Sequence, residues 1–270
     1  MHHAQVEFRT TVTNAFPEKF AGKVLDVGSE DINGNLVEVF APLLYVGVDL
    51  AAGKNVTMIS RGENVDCKTG SFDAVFSGEC FEHNLNYLST FFNMIRMTKP
   101  GGIIAFTCAS RFRMEHGTTK SDGGAGAPSS VSTGNEYYKN LTQKHFKHAV
   151  REGHFLAFGF YRNFAEQDLY FVGIKKSDSD VDSLLKRFIS LDNEIKKFVR
   201  KMNKPRRVAT VNLDLLKMAI TRSLINFLYR NFSRDTLNVL KSWTKKGVIE
   251  NSSQGKLRFP ISDMCLRIYL

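Results

Sequence analysis

The chain has 270 residues, enough for one large domain or a domain with an appendage, and its 43% hydrophobic content is ordinary for a soluble globular protein. No stretch reaches the ~18 uninterrupted apolar residues of a membrane span, and the polar opening MHHAQVEFRTTV lacks the apolar run of a signal peptide. The net charge of +10 is uneven: residues 1–176 carry 18 basic and 18 acidic side chains, residues 177–270 carry 19 and 9. A neutral front and a basic back predict a boundary near Lys176, with one domain over 1–176 and a basic helical extension over 177–270. Four cysteines (Cys67, Cys80, Cys108, Cys265) without C-x-x-C pairing read as reduced thiols in a cytoplasmic protein.

In chain order, short apolar runs bounded by Gly, Asp or Pro predict buried parallel strands at 23–28, 44–50, 55–60, 73–77 and 102–107. Leu88, Phe91, Phe92 and Ile95 share a helical face in 85–98, which stops at Lys99-Pro100-Gly101-Gly102. Alternating strands and helices imply an α/β fold with a doubly wound parallel sheet. Residues 109–137 are rich in Gly and Ser and aperiodic, the pattern of a functional lid or a disordered loop. Thr142 is placed to cap a helix through about Glu152, and two closing strands follow at 155–161 and 168–174. Beyond them, 181–202 is amphipathic, Pro205 interrupts, and further helices are expected at 211–232 and 235–245.

The candidate site begins with VLDVGSEDINGN at 24–35. A dinucleotide turn needs G-x-G-x-x-G, but here Gly28 is followed by Glu30 and Asn33 in the places of the other glycines. Asp26 and Asp49 end the first two strands, where both would face one crevice. Glu30 and Asp31 would repel a pyrophosphate on the first turn. S-adenosyl-L-methionine, cationic and free of phosphate, suits these acids better than NAD does.

VLDVGS, YVGVDL, SFDAVFSGECFEHN and MTKPGG before a strand, in that order, resemble the successive motifs of class I S-adenosylmethionine-dependent methyltransferases over about residues 20–175. The resemblance implies a Rossmann-like fold. It also implies that Asp26, Gly28 and Ser29 line the methionine end of the cofactor. Asp49 would bind the ribose, Leu50 pack on the adenine, Glu63 or Asn64 lie near the adenine edge, and Ser77 and Gly78 close the floor beneath the methyl group. One departure is Glu30 in place of the second glycine of G-x-G-x-G, with Gly34 as partial compensation.

For the acceptor, the missing N-P-P-Y or D-P-P-Y argues against amino-group methylation of adenine or glutamine, and Cys80 without a preceding proline argues against cytosine C5 chemistry. O-methylation of a small or glycan acceptor is therefore expected. EHGTTKSDGGAGAP followed by EYYKNLT resembles methyltransferases associated with polysaccharide and surface-glycan synthesis, which implies a sugar hydroxyl. His116, at the front of the Gly/Ser-rich loop, is the expected general base, with His83 the second candidate; Glu115, Tyr137 and Tyr138 are expected at the acceptor, and no metal is assigned. The basic back has three readings: a packing or dimerising appendage, a cationic surface against the inner membrane face, or a nucleic-acid-binding region, the last disfavoured for want of a recognition motif. The rival functions are an RNA methyltransferase and a non-catalytic protein that keeps the cofactor fold as a scaffold.

Overall fold

The computed structural model describes residues 3–32, 34, 44–151, 153–203, 256–257 and 268–269. By internal contacts the chain falls into two units, 1–222 and 223–270. The helices expected at 211–232 and 235–245 lie outside the described residues, as does Cys265. In the second unit, strands β8 (Lys256–Leu257) and β9 (Ile268–Tyr269) pair antiparallel.

The first unit is built on a seven-stranded sheet of β1 (Lys23–Val27), β2 (Leu44–Asp49), β3 (Met58–Ile59), β4 (Phe72–Gly78), β5 (Thr98–Ala109), β6 (Phe155–Asn163) and β7 (Asp168–Lys175), in the order β3-β2-β1-β4-β5-β7-β6. β1 to β5 run parallel, and β7 is antiparallel to both of its neighbours. This is the expected Rossmann-like fold. Register brings Val27 level with Val48 and with Ser77, so the first, second and fourth strands end together. The chain reverses direction in strand order between β1 and β4, and the crevice opens there.

One face of the sheet is covered by α1 (His3–Ala15), α2 (Pro17–Phe20) and α6 (Val181–Met202), whose Phe8, Val12, Phe20, Leu191 and Ile195 share a core with Val24 and Ala105. The other face packs α3 (Tyr87–Met97) and α5 (Lys147–Arg151) around a knot of rings from Phe81, Phe91, Phe106, Phe146 and Phe171. The helix expected after Thr142 is a 3-10 turn, Gln143–Phe146, running into α5, with His145 completing a capping box on Thr142. α6, which the charge pattern set beyond Lys176, buries its apolar face against α1 and β6. Arg187 forks onto Glu18 at 2.8 and 2.9 Å, and the Tyr161 hydroxyl donates to Asp192 at 2.9 Å. Among the described residues no helix is long and apolar enough to cross a membrane, and Cys67, Cys80 and Cys108 are free thiols.

The 109–137 segment is ordered. Asp122 accepts the backbone N–H groups of Gly117, Gly124 and Gly126 at 3.0, 3.0 and 3.1 Å, which folds the glycines around one carboxylate. Burial works against that charge, but the three donors hold Asp122 below the usual carboxylate range. Short helix α4 (Pro128–Ser132) follows. From it Ser129 donates to Glu30, and Asn135 accepts from Arg61, so the segment reaches over the crevice to both flanking loops.

Candidate active site

The first turn is set by Gly28, whose φ of +79° is left-handed and whose N–H, with that of Ser29, donates to the Val48 carbonyl at 2.8 and 3.1 Å. A Cβ on Gly28 would come within 2.7 Å of the Cys80 Sγ. The residue must be glycine both for its backbone and for its space. Beside it, Asp49 accepts N–H groups from Glu30 at 3.0 Å and Leu50 at 2.7 Å, which aims the carboxylate across the strand end. Burial raises the Asp49 pKa, and those two N–H bonds oppose the rise.

These residues border a cavity of about 370 Å³, within the size range of small-molecule and cofactor sites. Gly28, Asp49, Leu50, Glu63, Gly78, His83 and Tyr137 from the expected site line it. Glu63 is fixed by Asn86 Nδ2 at 2.8 Å and the Thr90 hydroxyl at 3.1 Å. Asn64, on the same 3-10 turn, is exposed and off the lining. Asp26, Ser29 and Ser77 sit beneath the wall: Asp26 accepts from the Tyr45 hydroxyl at 3.0 Å, Ser29 donates to the Asn55 carbonyl at 3.4 Å, and Ser77 is wholly buried. Burial pushes Asp26 up to about 7 against the Tyr45 hydrogen bond and the nearby Arg9 charge.

That shift has a testable sign. A carboxyl raised from its ordinary 3.8 to about 7 contributes stability that is fully present below pH 3.8 and lost as pH rises through about 7. Asp26→Asn, which mimics the protonated form, should flatten the melting-temperature profile between about pH 4 and 7 relative to wild type. Parallel profiles for the two proteins would mean Asp26 is not titrating there.

Two residues the sequence did not single out come from α1. Gln5 and Arg9 line the cavity although both are almost wholly buried. Arg9 lies over the Phe76 ring, 5.4 Å from its centroid. Burial lowers Arg9 to about 10, opposed by Asp26 and Glu79, so it remains cationic at neutral pH. Another is Glu79, held at φ +52° at the end of β4, an unfavourable backbone for a residue with a Cβ and one that occurs at functional sites.

The two expected histidines come together. Their rings meet edge to face at 5.0 Å, and Tyr138 packs on His116 at 5.1 Å and on His83 at 5.5 Å. His83 is on the cavity wall; His116 stands behind it, its Nδ1 3.0 Å from the Met114 carbonyl. Burial, with the charge of His116 adding to it, lowers His83 to about 3, so its ring is neutral. Glu115 accepts from the Thr118 hydroxyl at 2.8 Å, and the Tyr138 hydroxyl donates to Met114 at 2.9 Å; neither side chain lines the cavity. Adjacent to the histidines, burial and then the charge of Glu79 raise Glu82 well above the usual carboxylate range.

Residues 25–106, from β1 through most of β5, match the family model described as a methyltransferase domain. No curated protein matches the chain in sequence. Among solved structures, similar chains include the 1,6-didemethyltoxoflavin-N1-methyltransferase of Burkholderia thailandensis, at 15% identity over 65% of this chain and 79% of that one, TM-score 0.44. A phosphoethanolamine N-methyltransferase 2 of Haemonchus contortus shows 16% identity over 64% and 53%, TM-score 0.46. A carbon methyltransferase, CurJ, shows 14% over 63% and 54%, TM-score 0.42. Residues 25–106 carry a methyltransferase domain. The site fits S-adenosylmethionine as its cofactor: one tight glycine turn, a carboxylate at the end of β2, and acids rather than a phosphate cradle.

Proposed function

We propose that the chain is an O-methyltransferase acting on a hydroxyl of a sugar or glycan. The observation that carries this reading is the neutral His83 ring on the cavity wall among polar side chains such as Asn84, Asn86, Asn135 and Tyr137, a wall suited to hydrogen-bonding several hydroxyls. In this reading the cofactor supplies an electrophilic methyl group on its sulfonium. Asp49 holds the ribose hydroxyls, Leu50 and Glu63 border the adenine, and Arg9 receives the carboxylate of the methionyl part. Asp26 supports that end from below, by fixing Tyr45 and facing Arg9. The chain's work is positioning: it excludes water with the 109–137 segment and aims one acceptor oxygen. His83, with its depressed pKa, is a weak base for an alcohol. It is adequate for a proton that leaves late, once the oxygen carries positive charge.

In this reading His83, on the cavity wall, meets the acceptor, and His116 supports it from behind. His83→Ala should therefore lower turnover by roughly 10²- to 10⁴-fold with cofactor affinity unchanged, and His116→Ala should be milder at the acceptor. Methyl transfer from labelled cofactor to a panel of sugars, lipid-linked glycans and RNA reads both the acceptor class and the two variants. Transfer confined to RNA, or to amines, would remove the sugar reading.

A further inference from the structure

We propose that Glu82, His83 and His116 form a binding site for one divalent first-row transition-metal ion, a site that also serves the hydroxyl chemistry proposed above and rests on that reading for its role. One ligand atom from each residue can be chosen so that all three lie within 4.8 Å of one another, and Glu82 Oε1 is 4.0 Å from His116 Nε2. Two imidazoles and one carboxylate are a donor set suited to zinc, manganese, iron or cobalt, leaving positions open for water or substrate. Ligand bonds of about 2.0–2.2 Å require the three side chains to draw in by roughly 1 Å.

Three independent features favour an ion there. Glu82 is wholly buried and His83 is 8% exposed, yet no side chain hydrogen-bonds the Glu82 carboxyl oxygens or the His83 ring nitrogens; only backbone groups, at Glu82 and Ala109 for the one and at Tyr137 for the other, act on them. Buried polar atoms are normally well satisfied, and a buried carboxylate without a side-chain partner is costly unless something charged meets it. Arg113, whose charge acts on Glu82 from a distance, makes its own short contacts to Asp168 at 2.6 Å and to the Glu166 carbonyl at 2.8 Å. Second, His116 is oriented as metal ligands are: its Nδ1 meets the Met114 carbonyl at 3.0 Å, which leaves the Nε2 lone pair directed toward Glu82. Third, the loop is built to deliver His116. Gly117 has φ +68°, and a Cβ there would lie 2.6 Å from His83 Cε1 and 2.8 Å from the Ala127 Cβ. Only glycine lets the segment pass this close.

The functional consequence follows from His83 being on the cavity wall. An acceptor hydroxyl reaching that wall would take an open position on the ion. Its O–H bond would break with the proton passing to water, and an oxygen–metal bond would form. Such coordination lowers the pKa of a bound water from 15.7 to about 7, and a hydroxyl gains by the same effect. It would relieve His83 of acting as a base.

The test is metal binding itself. Full-length protein stripped with a chelator is titrated with Co²⁺ alone, followed by calorimetry and by the visible absorption of the bound ion. One ion per chain is expected. Glu82→Gln and His116→Ala should each weaken it by more than the roughly 10- to 100-fold typical of losing an outer-shell partner, while S-adenosylhomocysteine affinity and the thermal melt show that each variant is folded. His148→Ala, remote in sequence and outside the trio, should bind as wild type. No binding by the folded wild type, or equal binding by both folded variants, overturns the site. A chain that binds no ion yet methylates a sugar overturns the metal and leaves the O-methylation standing. One ion bound through the trio, without methylation of any hydroxyl, supports the site and removes the acceptor reading.

Discussion

A chain ending at Lys176 should fail to fold. Leu184, Phe188, Leu191, Ile195, Phe198 and Val199 of α6 are buried in the same core as α1 and the sheet. At about 1.5–3 kcal/mol per buried apolar side chain, their loss amounts to roughly 10 kcal/mol or more, comparable to the entire stability of a typical domain, about 5–15 kcal/mol. The cut also removes Arg187 from Glu18 and from the Ala15 carbonyl, 2.7 Å away, and Asn203 from the Phe164 N–H, likewise 2.7 Å away. The truncated chain should therefore show no cooperative thermal transition and should not bind cofactor. A soluble, cooperatively melting product of 1–176 would mean that α6 is an accessory to this core rather than part of it. The single substitution Leu191→Asp tests the same packing without shortening the chain and should lower the melting temperature sharply.

The second large effect is expected at Asp49. Its carboxylate is fixed by two backbone N–H groups and lines the cavity at the end of β2. Asp49→Ala should weaken S-adenosylhomocysteine binding by about 1.5–3 kcal/mol, the scale of a hydrogen bond to a charged group, or on the order of 10- to 100-fold in the dissociation constant. Asp49→Asn keeps the volume and one acceptor oxygen and should fall between the two. A melting curve on each separates lost contacts with ligand from a loosened turn, since the Glu30 and Leu50 N–H groups also lose an acceptor.

The seven strands of the large sheet were legible as short apolar runs; in β1, β4, β5 and β7 burial on both faces erases polar alternation, while the edge strands β3 and β6 are only partly buried. The start of β5 was less so. It runs from Thr98 rather than from the glycines, because a register shift between Phe72 and Ala74 lets Thr98 pair with Phe72 before the Pro100-Gly101 turn. α1 was hidden for a different reason. Its buried face alternates Ala4, Phe8 and Val12 with Gln5, Arg9 and Thr13, so the apolar stripe is broken by the very residues that reach toward the site. The order of 109–137 depends on one aspartate collecting three glycine N–H groups, a tertiary arrangement without period. In the site, Gly28 and Asp49 could be read from motif position. The meeting of His83 with His116 could not, since it joins the turn after β4 to a loop 33 residues later through a left-handed Gly117.

The crevice at the ends of β1, β2 and β4 suits a phosphate-free, cationic adenosyl cofactor. Calorimetric titration of the full-length protein with S-adenosylmethionine and with NAD, side by side with Asp49→Ala, tests it most directly. S-adenosylmethionine should bind at one site per chain, NAD should give no heat, and Asp49→Ala should weaken the first by the factor given above. NAD binding as tightly as S-adenosylmethionine, or unchanged affinity in a folded Asp49→Ala, would contradict it.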